Sequence, residues 1–288
     1  MILFKAKQSF SYYNRRSRKK INGEEQSMKK LLLKAIILSA VTSSVVLTGI
    51  YTVIDKSPIL HILADTTNTG EQVAFSDLYH NFRKAKHTVQ LDVPTIKQFP
   101  ELPRGCEVTA LAMLLNAQGY QTTKMELAKK IRKDPTPYQE KNGSIYFGNP
   151  HNGFVGSIYN RSKPGLGVYV EPIIDLAYEY AGTNVINLTK QKELELMFAL
   201  SEGTPVWIIT NTTYKKLPAS AFETWETPQG KIKITYKEHS VVITGYDNDY
   251  YYFNDPLDGK QKKAAKDSFI EAWEQMGAQA ITILPKNS

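Results

Sequence analysis

Between Arg104 and Gly119 runs GCEVTALAMLLNAQ, a helix-length segment with apolar residues on nearly every side. Val108, Leu111, Ala112 and Leu115 follow the i, i+3, i+4, i+7 spacing of one helical face, and Ala110, Met113 and Ala117 add a second stripe. A helix with so little polar surface belongs in the middle of a domain. The chain must therefore supply further layers to cover it, and with 288 residues, 42% of them hydrophobic, it has the material. The segment also starts on Cys106, the only cysteine in the sequence.

The covering elements can be read on both sides. Pro94, Pro100 and Pro103 keep the approach to Cys106 extended as far as Gly105. After the stop at Gly119, Thr123 and Glu126 form the capping-box pattern of a second helix, TKMELAKKI. YFGNPHNGFVGSIYNRSKPGLGVYV, rich in Gly, Asn and aromatics, reads as a long ordered loop. EPIIDLAYEYAG gives a third helix, with Pro172 near its first position and Gly182 just past its end, and TKQKELELMFALSEG a fourth, stopped at Gly203. The chain then turns to strands: TPVWIIT, KIKITY, HSVVITGY and YYYFND. A last helix, DSFIEAWEQMG, and a strand, AITIL, follow. Helices first and antiparallel strands later predict an α+β fold, with the central helix packed on the sheet.

The net charge of +8 is a property of one end. Residues 1–30 hold nine Lys/Arg against two Glu, whereas the remainder holds 27 against 26. A nucleic-acid-binding domain would need its basic face on the folded part, so no nucleic-acid partner is expected. Next comes a run without charge from Ala35 to Ile54, 20 residues, long enough to cross a bilayer as a helix. Basic residues crowd its N-terminal side, which predicts a cytoplasmic tail and an extracytoplasmic body. A cleaved signal peptide is the alternative. The run exceeds the usual signal core of about 7–15 residues and no clean A-x-A site follows, so a retained signal anchor is the reading taken. Met28 begins MKKLLLKAIILSA, itself shaped like an export signal, so residues 1–27 are either an upstream extension of the reading frame or a cytoplasmic tail. The expected organisation is a basic tail over 1–30, a transmembrane anchor over 31–54, a juxtamembrane stalk over 55–88 and one folded domain over 89–286.

A lone cysteine excludes a disulfide scaffold and any CxxC zinc or redox site. A free thiol on the oxidising side of a membrane is exposed to oxidation, which favours a use for it. Cys106 sits at a helix start, where the helix dipole and a neighbouring imidazole would lower its pKa and make it a nucleophile. His239 opens an apolar strand, and DND at 247–249 marks a hairpin turn. Folding the hairpin about 247 or 248 brings Asp255 or its neighbour opposite His239, where a carboxylate would hold the imidazole tautomer. Gln98, eight residues before Cys106, offers a side-chain amide that, with the Cys106 N–H, would make a two-donor oxyanion hole. Glu107 reads as a favourable charge in the first helical turn that could also help shape the site. His61, His80, His87 and His151 are scattered and read as solvated. No metal-ligand spacing occurs, and neither a metal nor an organic cofactor is expected. GLGVY reads as loop chemistry only.

DVPTIKQFPELPRGCEVTALAMLLNAQG and EHSVVITGYDNDYYYFNDP resemble the two signature blocks of the bacteriocin-processing (double-glycine) peptidase-like family, in its stand-alone exported branch from Gram-positive bacteria. NPHNGFVGSIYN…GLGVYVEPI and LSEGTPVWIIT also look like that branch, and the resemblance covers about residues 89–284. It implies a papain-like cysteine peptidase fold and a peptide or protein substrate, with Cys106 as nucleophile, His239 as general base, Asp255 as orienting carboxylate and Gln98 in the oxyanion hole. Members that cut double-glycine leaders are typically fused to an ABC exporter and work on the cytoplasmic side, so a leader substrate is not carried over. Two other readings stand beside the peptidase. One is an acyl transferase using the same triad. The other is a non-catalytic binding module whose aromatic loop residues, Tyr146, Phe147, Phe154 and Tyr159, dock a peptide or glycan. Nothing in the sequence bears on oligomeric state.

Overall fold

The computed structural model describes residues 88–286. The expected tail, anchor and stalk, and His61, His80 and His87 with them, lie outside the described residues. No described helix is long and apolar enough to cross a membrane. His151, which is described, is exposed and paired with Glu171 at 2.8 Å.

Five α-helices are described: α1 (Cys106–Ala117), α2 (Lys124–Lys130), α3 (Val170–Ala181), α4 (Glu193–Ser201) and α5 (Lys266–Gln275). The strands of the main sheet are β1 (Val89–Gln90), β2 (Val185–Asn187), β3 (Val206–Asn211), β4 (Glu238–Tyr246), β5 (Tyr250–Asp255), β6 (Lys260–Ala265) and β7 (Ala280–Ile283). They run in the order β6-β5-β4-β3-β7-β2, every pairing antiparallel, with β1 on the end of β4. This is the α+β arrangement expected from the order of elements.

The two faces of the sheet build two cores by simple alternation. Trp207, Ile209, Val242, Ile281 and Ile283 pack with α1, α2 and α3. Val206, Ile208, Val241, Ile243 and Ala280 pack with α4 and α5, where Phe269 and Trp273 are centred. All residues of α1 from Cys106 to Leu115 are buried, as its apolar surround requires. At about 25 cal/mol per Å² of apolar area, each fully buried leucine of this helix stabilises the fold by about 2 kcal/mol.

Most element ends follow the sequence signals. Gly119 ends α1 at a φ of +84°. Thr123 caps α2 through its hydroxyl, which accepts from the Glu126 N–H at 3.1 Å, while the Glu126 carboxylate is engaged by the Tyr180 hydroxyl. The third helix starts earlier than its Pro172 suggested: Tyr169 is the cap, and proline occupies the third helical position. Beside the main sheet stands a four-stranded sheet of Gln139–Lys141, Ser144–Tyr146, Glu223–Thr227 and Gly230–Ile234. Its small core corrects the aromatic docking surface. Phe147 is buried against Trp225 and Tyr138, and Phe154 is wholly buried in the α1 core, so neither faces solvent. Of the four aromatics named for that role, Tyr159 is exposed.

Candidate active site

The approach to α1 is fixed by contact. A Cβ on Gly105 would lie 2.5 Å from Leu102 Cβ, so only glycine lets the chain turn into the helix there. As the first helical residue, Cys106 has a backbone N–H with no intrahelical acceptor. Its thiol, 8% exposed, donates to Glu107 Oε2 at 3.3 Å. Burial pushes the thiol well above its ordinary range. The charges of Glu107 and Glu238 and the bond to Glu107 add to this, and only the Ser240 backbone N–H, donating toward the sulfur, opposes it. The sequence led us to expect a thiolate favoured by the helix terminus. The structure reverses that direction, because desolvation and two neighbouring carboxyls outweigh the dipole.

Those carboxyls form a buried pair. Glu107 Oε1 accepts from the Val168 N–H at 2.7 Å, and the Glu107 carbonyl accepts from Trp207 Nε1 at 3.0 Å. Burial raises Glu107 to about 7 despite these backbone donors and the thiol bond. Burial, with Glu107 beside it, raises Glu238 well above the carboxylate range, and Glu238 Oε1 has no hydrogen-bond partner among the described residues. At neutral pH the pair therefore retains a proton. Gly167 belongs to this arrangement: a Cβ there would lie 2.1 Å from Glu107 Oε1 and 2.9 Å from Glu238 Oε2. GLGVY is thus the backbone wall of an acid pocket, not loop chemistry alone. Ligand atoms of Cys106, Glu107 and Glu238 all lie within 4.8 Å of one another. A divalent cation there would have to displace the thiol proton and the proton of the pair, and compete with Val168 for Glu107.

On β4 the faces alternate, so Glu238 points toward α1 while His239 shares the opposite face with Val241. His239 is buried and its Nε2 bonds Asp255 Oδ1 at 2.8 Å, which leaves Nδ1 as the other ring nitrogen for chemistry. The turn is an Asx turn in which Asp247 Oδ1 accepts from the N–H groups of Asp249 and Tyr250. The register differs from the expected one. Tyr246 pairs with Tyr251 and Val242 with Asn254, with a bulge between Ile243 and Gly245. Extending that pairing sets Asp255 against Val241, so Asp255 reaches His239 on the diagonal and not from directly opposite.

Asp255 is fully buried and well supplied with donors. Oδ1 also accepts from the Leu257 N–H at 2.8 Å, and Oδ2 accepts from the Tyr214 hydroxyl and Lys262 Nζ, each at 2.5 Å. Burial alone would raise this carboxyl; the bond and charge of His239, with Lys262 and Tyr214, hold it well below the usual carboxylate range.

Gln98 is buried in the same region. Its Nε2 donates to Leu102 O at 3.1 Å and Pro103 O at 3.2 Å, whereas Oε1 is buried with no partner among the described residues. Two carbonyl acceptors fix the amide this way round. Both amide hydrogens are therefore spent inside the approach loop. This differs from the donor role expected for Gln98, which would need the amide to release Pro103.

Gln98, Cys106, Glu238 and His239 line one cleft of about 320 Å³, and Asp255 stands behind the histidine. The residues that sequence reasoning missed are Glu238, Lys262 and Tyr214. Glu238 was flagged only by its place directly before His239. Lys262 lies on β6, whose KQKKAA composition gave no strand signal, and Tyr214 sits in a turn after β3.

A buried imidazole bonded to a buried carboxylate, in one cleft with a thiol at a helix start, defines a thiol-peptidase-like site on an α+β frame. Residues 90–281 match the Peptidase_C39 like family, and the chain belongs to that family. It is 46% identical over 195 residues to the uncharacterised protein YvpB of Bacillus subtilis (strain 168), a match spanning 67% of this chain and 75% of that protein. A crystal structure from Bacillus anthracis, provisionally assigned as a C39-like peptidase, matches with a TM-score of 0.64 at 43% identity. That match covers 70% of this chain and all of the other. The fold is accordingly the papain-like one that the resemblance implied.

Proposed function

We propose that the chain is a cysteine peptidase of the stand-alone exported branch, cleaving a peptide or amide bond with Cys106, His239 and Asp255. The observation that carries this reading is the His239–Asp255 bond placed behind a cleft lined by both His239 and Cys106. Because the thiol is held neutral, catalysis starts from general-base attack and not from a preformed ion pair. Cys106 Sγ adds to the scissile carbonyl as His239 Nδ1 takes the thiol proton. The Cys106 N–H receives the oxyanion, joined by the Gln98 amide once it leaves Pro103 O. His239 returns the proton to the leaving amine, giving a thioester and the first product. Water then adds with His239 as base, and the thioester opens to the carboxylic acid and the free thiol. Asp255 holds the imidazole tautomer through Nε2. We further propose that the run at 35–54 anchors the chain in the membrane with this domain extracytoplasmic, behind the 55–88 stalk.

The test is turnover of a peptide library by the full-length chain in detergent, read by mass spectrometry beside Cys106→Ser and His239→Ala. Cleavage lost in both variants, with an acyl adduct on Cys106 in the intact mass, supports the peptidase. An added amine that captures the acyl group would make the chain a transferase. One observation favours a second reading, a binding module that has kept the papain-like fold: the thiol donates to Glu107 and its pKa is raised. Peptide binding without turnover, unchanged in Cys106→Ser, would select that module.

A further inference from the structure

The wall of the cleft beside Cys106 carries two arginines, Arg104 and Arg161. Neither makes an ion pair among the described residues. Their acceptors are all main-chain carbonyls. Arg104 Nη1 donates to Ser157 O at 3.2 Å and Asn160 O at 2.8 Å, and its Nη2 to Arg161 O. Arg161 Nε and Nη2 both donate to Pro103 O, while its guanidinium lies over the Phe99 ring at 5.4 Å. These bonds clip the 157–161 loop to the approach segment and hold both side chains in place. Arginine has five N–H donors, so the Arg161 Nη1 hydrogens and part of the Arg104 fork stay unspent.

Two fixed guanidiniums without a counter-ion are an incomplete arrangement. Arg161 is close enough to disfavour the charge of Arg104, after the burial that Arg104 also pays. The one carboxyl lining the cleft is Glu238, which faces Glu107 and is raised well above the carboxylate range by burial; it makes no ion pair with either arginine, and one carboxyl could not balance two guanidiniums. Tyr236, mostly exposed, adds a phenol to the same wall, and Leu166 and Leu257 add apolar surface. The cleft thus presents net positive charge, planar donors and an apolar floor next to the nucleophile.

We propose that this cleft takes a peptide bearing a carboxylate close to the bond presented to Cys106, held by Arg161 and Arg104. The carboxylate comes from an acidic side chain or from a free chain terminus; both offer the planar oxygen pair that guanidinium recognises bidentately. The proposal rests on the peptidase reading for the placement of the scissile bond, but the anion site itself does not.

Four dye-labelled peptides separate the possibilities: Ala-Ala-Glu-Ala and Ala-Ala-Gln-Ala, each as the C-terminal acid and as the amide. Affinity for the full-length chain is read by fluorescence anisotropy, and turnover by chromatography on the same samples. The expected result is about tenfold tighter binding of at least one carboxylate-bearing peptide than of the Gln amide, weakening as salt rises. In Arg161→Gln the preference falls to about twofold or less. Arg161→Lys and Arg104→Lys, which keep the charge but lose the fork, retain an intermediate preference. A gain from Glu in the amides points to a side-chain carboxylate, and a gain from the free acid in the Gln pair points to the terminus. Equal affinity for all four, no binding of either acid, or a preference untouched in Arg161→Gln would overturn the proposal. Charge-selective binding without cleavage would leave the anion site standing and sink the hydrolase; cleavage without charge selection would do the reverse.

Discussion

Replacing Glu107 by Gln tests the buried acid pair through the stability of the whole protein. In the native fold Glu107 is raised to about 7 from an ordinary carboxyl value of 4.5, chiefly by burial. The groups facing it are the Cys106 thiol, Glu238, Tyr169 and the Val168 N–H. A carboxyl that holds its proton more tightly when folded contributes stability that is fully present below about pH 4.5 and is lost as pH rises through about 7. At 1.36 kcal/mol per pH unit, the loss on going from pH 4.5 to 8 is about 3 kcal/mol. A glutamine side chain at this position does not titrate, and its carbonyl can still accept from Val168. Relative to wild type, Glu107→Gln should therefore be near parity at pH 4.5 and gain about 3 kcal/mol by pH 8. Urea unfolding followed by tryptophan fluorescence is well suited, because Trp207, Trp225 and Trp273 are all buried. Titrations common to both proteins, that of Asp255 among them, largely cancel in the difference. A stability difference that stays flat within about 0.5 kcal/mol from pH 4.5 to 8, or that falls with pH, would refute the buried protonated pair.

Asp255→Asn should lower kcat on any cleaved peptide by about 100-fold or more while the fold persists, since a neutral amide brings no charge to stabilise the imidazolium that forms when His239 takes the thiol proton; steady-state rates beside circular dichroism would check this. Asp255 is held below the ordinary carboxylate range, so the stability it contributes is present above that range and disappears as pH falls beneath it; the Asn variant should lose this part of the acid transition in a pH-melting series. Gly167→Ala drives a methyl into Glu107 Oε1 and should cost about 1–3 kcal/mol in urea unfolding, because the carboxyl must leave the Val168 N–H. Full stability in that variant would mean the 165–168 backbone yields freely.

Where periodicity carries the information, the sequence was legible. The all-round apolar pattern from Val108 to Leu115 placed α1 at the centre, and the alternation in HSVVITGY and YYYFND located β4 and β5 on either side of the DND turn. Cys106, His239 and Asp255 could be singled out as candidates because each sits at or next to an element end with a distinct chemical type. The diagonal pairing was not legible: a bulge between Ile243 and Gly245 leaves no signature in composition. The acid pair was hidden for a different reason. Glu107 and Glu238 are 131 positions apart, and each looks like an ordinary exposed charge until α1 is laid on β4. Gln98 was recognised as a residue but its orientation was not, since that depends on two carbonyls of the following turn. The docking aromatics failed because Phe147 and Phe154 are core residues, Phe147 in the core of a small sheet of which KIKITY alone was legible as a strand.

The strand that brings Lys262 to Asp255 is also, among the described residues, the outer edge of the main sheet. An uncovered edge is a template for pairing with another chain. Here that edge reads KQKKAA, with Lys260 and Lys263 in solvent and Lys262 half-buried. Two such borders brought side by side would set ammonium against ammonium along their length, a repulsion that disfavours growth of one sheet into the next. The lysine that neutralises the carboxylate behind His239 is thus part of a like-charged rim that discourages polymerisation. A substitution there made to tune the chemistry would also be read out as solubility.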